Sequence, residues 1–196
     1  MHNYCARMES VRLTTESLAV LAHPLRARLL SELRRDGAAT ATELAGRLDT
    51  NTGATSYHLR KLESVGLVTD TGAGIGKRRL WEASTRMHGW DRSDFAGDPD
   101  AEQALNWLVR HYLDQISGRY AEWLDAEARW PLAWRDAAGM GDDAVHVTAA
   151  QLHELNAELS AVIARYARAG DGDPAARTVT VAYLGFPQDP TDVPTR

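Results

Sequence analysis

Apolar and polar positions along the first third of the chain repeat with a helical period, and the repeats are separated by turn residues. Thr15 to Ala22 sets Leu18 and Leu21 at helical spacing. "HPLRARLLSELRRDG" follows, with Pro24 suited to a first helical turn and Leu25, Leu29 and Leu33 recurring every fourth residue up to Gly37. "TATELAGRL" opens on Thr40 with Glu43 three residues later, a capping-box signature, and carries Leu44 and Leu48. Residues 49–51 form a short polar turn in which Asn51 is suited to cap the next helix.

That next helix is "TGATSYHLRKLESV", Thr52 to Val65. At about 100° per residue from Gly53, Ser56, Tyr57, Arg60 and Ser64 fall within about 60°, and Lys61 about 80° away. Thr55, Leu59 and Leu62 lie on the far side, with Val65 and His58 between. One face is built for a core. The other offers hydroxyls, a guanidinium, an amine and a glycine that admits close backbone approach, which is what a helix entering a DNA major groove requires. His58 reads as a half-buried structural residue rather than a base reader.

After Gly66 the period changes to two. "LVTDT" and "KRRLWEA" read as strands joined by "GAGIG", with Lys77, Arg78 and Arg79 at the tip and second strand. Basic residues on such a hairpin suit a phosphate backbone. "GAGIGK" does not read as a nucleotide-phosphate loop: the spacing is wrong, no Ser or Thr follows Lys77, and a strand comes next. Helices followed by a hairpin make the order of a winged helix-turn-helix.

"LAHPLRARLLSEL", "TATELAGRL", "TSYHLRKLESVGLV" and "KRRLWEA", across Ser17 to Ala83, resemble the ArsR-type winged-helix transcriptional regulators. The resemblance implies that Thr52 to Val65 is the recognition helix and Gly72 to Arg79 the wing. The DNA-contacting set is then Thr52, Gly53, Ser56, Tyr57, Arg60, Lys61, Lys77, Arg78 and Arg79. It also implies a dimer formed through helices flanking the DNA-binding unit. Metal-sensing members carry a cysteine pair at the start of the helix before the recognition helix; here that place reads "TELAGRL". The Asp and His pattern of other members on the last helix is also missing, and His146 and His153 have no partner at ligand spacing, so neither metal nor cofactor is expected.

The back half has a different character. "STRMHGWDRSDFAGDPD" reads as a loose connection or as a loop packed by Trp90 and Phe95. Ala101 to Trp130 is a long helical pattern with Leu105, Leu108, Val109, Tyr112, Ile116, Tyr120, Trp123 and Glu127 on one broad stripe, read first as a dimer seam. Trp107 and His111 point away from it. With Trp123, Trp130 and Trp134 they have two readings: filling of an irregular core, which is favoured, or an aromatic pocket for a small organic effector. "AVHV" and "RTVTVAYLGFP" read as strands around a helix whose capping box is Thr148 with Gln151 and whose apolar side holds Leu152, Leu155, Leu159, Val162 and Ile163. ArsR-like proteins of high-GC bacteria carry tails resembling this one. The expected architecture is mainly α with small β: a winged helix-turn-helix domain over 1–85, a linker over 86–100, and a dimerisation and effector or partner domain over 101–196.

Composition sharpens the division of labour. Residues 1–85 hold 12 Lys+Arg against 9 Asp+Glu and the remainder 10 against 18, which makes the net charge of −5. A basic front and an acidic back suggest that only the front meets a polyanion. No apolar run suggests a membrane span, no signal peptide is evident, and the one cysteine, Cys5, excludes an internal disulfide, so a cytoplasmic, nucleoid-associated protein is expected. Met8 is an alternative start to Met1. No nucleophile elbow or paired-carboxylate motif points to an enzyme. Three functions remain: a dimeric DNA-binding repressor with an organic effector or partner, the same without an effector, and a winged-helix protein-interaction module without specific DNA binding.

Overall fold

The computed structural model describes residues 10–74, 76, 78–85 and 87–194, and the expectation placed on Lys77 lies outside them. The chain divides into two compact units, residues 1–121 and 122–196.

The first unit is built as the leucine periods predict. Helix α1 (Thr15–Leu21) is capped by Thr14 and Ser17, and α2 (Pro24–Asp36) starts on Pro24 after His23, whose Nδ1 accepts the Leu25 N–H at 3.2 Å. Gly37 ends α2 at φ 81°, the left-handed region that a side chain disfavours. Strand β2 (Ala39–Thr40) leads into α3 (Ala41–Arg47), where Thr40 and Glu43 form the expected reciprocal cap. Helix α4 (Thr52–Glu63) starts on Asn51, whose Oδ1 accepts the Ala54 N–H at 2.8 Å. It stops at Gly66, φ 72°, where the Leu67 N–H turns back to the Leu62 carbonyl.

Strands β3 (Val68–Asp70) and β4 (Leu80–Ala83) pair antiparallel, Thr69 opposite Glu82, and β2 adds to the other side of β4 in the order β2-β4-β3. One core unites these elements. Leu18, Leu21, Leu29, Leu44, Leu59 and Leu62 are completely shielded from water, and Trp81 plugs the sheet side.

Two features of this unit have no signal in the periodicity. Strand β1 (Ser10–Arg12) pairs in parallel with β5 (Met87–Gly89), and Arg12 clasps Asp91 and Asp94, each at 2.6 Å. The segment read as a loose connection or a packed loop is the latter. After a short 3-10 turn at Arg92–Asp94, Phe95 is buried in the common core. Helix α5 (Pro99–Ala126) then contributes Ala101, Leu105 and Leu108 to that same core, with Val109 and Tyr112 packed against it. The first turns of the apolar stripe are therefore consumed within the chain.

A buried polar cluster fastens α2, β5 and α5 together. Arg34 Nε donates to the Thr85 carbonyl at 3.0 Å, and its Nη1 lies 2.7 Å from His88 Nδ1. A guanidinium can only donate, so Nδ1 is the acceptor and the imidazole proton sits on Nε2, which donates to the Tyr112 hydroxyl at 2.9 Å. Burial, then the neighbouring Arg34 charge, pushes His88 down to about 3, and burial pushes Tyr112 up. Arg34 Nη2 is buried and has no hydrogen-bond partner among the described residues. Nearby, Ser31 donates to Gln115, whose amide meets His111 at 2.8 Å.

In the second unit the helix expected to run to Trp130 breaks earlier. Helix α5 ends at Ala126, a 3-10 turn covers Glu127–Arg129, and α6 (Leu132–Ala137) follows Pro131, which supplies no N–H to continue a helix. Helix α7 (Ala149–Tyr166) carries the expected Thr148–Gln151 capping box. The two strands expected around it are not formed: residues 144–147 and 177–187 take no regular secondary structure, and neither stretch pairs with a backbone partner among the described residues. Their alternation is real, yet a strand exists only by pairing. No described residue from 122 onward is buried.

Candidate nucleic-acid interface

Helix α4 turns the face read from its sequence outward. Thr55, Leu59 and Leu62 are buried at 0% exposure, while Thr52, Gly53, Tyr57, Arg60 and Lys61 are exposed and Ser56 is half-buried. The helix is anchored through its leucines to α1, α2 and α3, so its polar side is held rigid at the surface of the unit. Thr55 Oγ1 returns to the Asn51 carbonyl at 3.1 Å, which satisfies a hydroxyl that would otherwise be orphaned in the core. Tyr57 is 50% exposed, and Lys61 Nζ lies 5.9 Å from its ring centre, a cation held over an aromatic face. A Cβ at Gly53 would come within 3.3 Å of Asn51 Oδ1, so the first turn is open to a close neighbour as well as tightly capped.

His58 takes the structural role read from its place on the wheel. Its ring packs 4.5 Å from that of His23, and its Nδ1 is buried with no hydrogen-bond partner among the described residues. Desolvation first, then neighbouring charge, lowers both imidazoles from their ordinary value. Arg26 is drawn inward, its Nε donating to the Val20 carbonyl.

The wing basic residues divide in two. Arg78 is exposed. Arg79 sits 3.5 Å from Glu63 and 3.4 Å from Asp70, and its guanidinium lies 5.5 Å from the Trp81 ring centre. Arg79 thus ties the root of the wing to the end of α4, with two carboxylates already answering its charge. Neither carboxylate drew attention in the sequence, because their meeting depends on the β3–β4 register. At the tip the chain folds tightly: a side chain on Gly74 would collide with the Arg78 carbonyl.

The five residues considered for an effector fall into two groups. In the first unit Trp107 and His111 stack at 5.0 Å, nearly parallel, with Trp107 packed against the core. In the second unit Trp123, Trp130 and Trp134 form a chain of edge-to-face contacts at 5.4 and 5.7 Å. The stacked pair fits the reading as core filling, whereas the tryptophan chain is only half covered.

Residues 21–71 match the helix-turn-helix domain family. The match takes in α2, α3, α4 and β3, the elements that build and present the polar face. No curated protein is similar enough to match the chain. Among solved structures, the transcriptional regulator Tm0710 from Thermotoga maritima aligns over 77% of this chain and 85% of its own, at 13% identity and a TM-score of 0.30. A likeness of that size does not bear on function. Among the described residues no helix is long and apolar enough to cross a membrane, and no group of three or more His, Cys, Asp or Glu is placed to hold a metal ion.

Proposed function

We propose that this protein is a sequence-specific DNA-binding transcriptional regulator of the ArsR type, acting as a dimeric repressor in the cytoplasm. One observation carries the reading. A helix-turn-helix segment holds α4 with its leucines fully buried and Tyr57, Arg60 and Lys61 exposed on the outer face. Thr52, Gly53, Ser56, Tyr57 and Arg60 meet base edges in the major groove, and Lys61 and Arg78 meet phosphates, joined by Lys77 and the uncommitted edge of Arg79.

Two copies read two half-sites of an inverted repeat about 10 base pairs apart, or a multiple of that. Leu105 and Leu108 are occupied in the chain's own core, so the seam falls on the outer turns of α5, where Leu113 is 39% exposed and Ile116 and Tyr120 are half-buried. Repression follows from occupation of the promoter. A small organic effector releases the protein if it binds one dimer geometry better than the other, and the half-covered Trp123, Trp130 and Trp134 chain is the better of the two aromatic sites for it. In this scheme residues 1–85 read DNA, 86–100 connect, and 101–196 dimerise and sense.

The test is selection of bound sequences from a random DNA pool at near-physiological salt, followed by the salt dependence of the enriched site. Enrichment of an inverted repeat supports the proposal. Failure to enrich any sequence, with only weak and nonspecific binding, sinks it and leaves the winged helix to protein contacts.

A further inference from the structure

Helix α7 carries a second apolar face that the DNA reading does not use. Around the helix at about 100° per residue from Leu152, Asn156 and Ser160 lie on one side, and Leu155, Leu159, Val162 and Tyr166 within about 80° on the other. The first side is covered by the chain itself. Tyr183 Oη meets Ser160 Oγ at 2.5 Å, and a Cβ at Gly185 would lie 3.0 Å from the Leu152 side chain. The second side is open, with Leu159 36%, Val162 40% and Tyr166 71% exposed. With no buried residue among those described, the unit has no dry core of its own, so this face is where covering it gains most.

The charges beside the open face say what covers it. Glu158 and Arg165 border it on the side away from Tyr183, one charge of each sign two turns apart. Both are exposed, and neither has an ion-pair partner among the described residues. Consider a second α7 laid antiparallel with its Val162 opposite Leu159. Leu155 then falls opposite Tyr166 of the second copy. Glu158 falls within about 3 Å, along the axis, of Arg165 of the second copy, and the two-fold axis repeats the contact. In a parallel two-fold pair the flank that carries both charges would lie on opposite sides of the seam in the two copies, so Glu158 and Arg165 would not meet. The pattern is therefore self-complementary in the antiparallel sense alone.

We propose that α7 is a self-association surface, on which two copies of this chain pair antiparallel through Leu155, Leu159, Val162 and Tyr166, with Glu158 of each facing Arg165 of the other. This does not rest on the DNA-binding reading, since α4 takes no part.

Sedimentation equilibrium of the full chain over a range of concentrations tests it, with helix content by circular dichroism as the control for folding. Wild type self-associates. Glu158→Arg and Arg165→Glu each raise the dissociation constant about tenfold, because two opposite-charge contacts become like-charge ones. The double swap Glu158→Arg/Arg165→Glu restores it to within about threefold of wild type. Val162→Glu weakens association further than either charge change while leaving helix content intact. A wild type that stays monomeric, single swaps that leave the constant unchanged (as they would if α5 alone held the dimer), or a double swap no better than the singles would each overturn the proposal.

Discussion

Acidifying the protein from pH 7 to pH 5 should weaken the first unit through His88. The imidazole titrates near 6.5 when exposed and near 3 in the fold. In the fold Nδ1 accepts from Arg34, and a proton there would turn acceptor into donor and set two cations together in a buried place. Because the folded value is depressed, the unfolded chain binds the proton first. Stability is therefore lost as pH falls below about 6.5, and the loss levels off near pH 3. Linkage between those two values gives a loss of about 2 kcal/mol from pH 7 to pH 5, and about 5 kcal/mol over the whole window. His23 and His58 are also lowered and act in the same direction, so the wild-type slope alone is not diagnostic. His88→Gln isolates the term, since the amide supplies an acceptor toward Arg34 and a donor toward Tyr112 but does not titrate. Urea unfolding at pH 5, 6 and 7 is the assay. The variant should be flatter than wild type by about 2 kcal/mol between the extremes. Equal slopes in the two proteins would refute the assignment of a neutral, doubly bonded His88.

Further outcomes follow from the interface and its support. Arg60→Ala should cost about 1–3 kcal/mol in binding to the selected DNA site and relax its preference at one base pair, read by competition with single-base variants of the site. Arg78→Ala should weaken all sequences alike and shallow the dependence of log K on log salt by about 1; an unchanged slope would remove Arg78 from the phosphate contacts. Leu59, completely buried beneath the polar face, should cost about 2–5 kcal/mol of stability when cut to Ala, measured by urea unfolding. Gly74→Ala should disturb the wing, since its Cβ would overlap the Arg78 carbonyl; amide chemical shifts that move at Thr71 to Arg79 and stay fixed in α2 would show the effect is local.

What the sequence disclosed and what it hid follow the range of the interactions involved. Helix α4 was legible face by face, because one 3.6-residue period decides which residues are covered and Leu59 and Leu62 obey it. The Thr40–Glu43 and Thr148–Gln151 caps were legible because four consecutive residues contain the whole motif. Phe95 gave only a choice between loose and packed, since its burial depends on α5 lying nearby. The Arg34–His88–Tyr112 cluster was hidden because it joins α2, β5 and α5, and no local pattern marks any member. Arg79 read as a phosphate ligand by its neighbours in sequence, yet its neighbours in space are Glu63 and Asp70. The tail showed the converse: Val179, Val181 and Tyr183 alternate as a strand should, but alternation describes only one half of a pair.

The pairing of β1 with β5 bears on the order in which the chain acquires its structure. Arg12 and Asp91 are 79 residues apart, and everything between them is the winged-helix unit itself. The contacts of α2, α3 and α4 close short loops, so they form early and at little entropic cost. The β1–β5 seam closes one of the longest loops of the unit, comparable with the Ser31–Gln115 contact, and forms only after β5 has left the ribosome. It is a clasp that joins the two ends of the winged-helix segment and holds Leu13, buried, against the common core that Phe95 and the first turns of α5 complete.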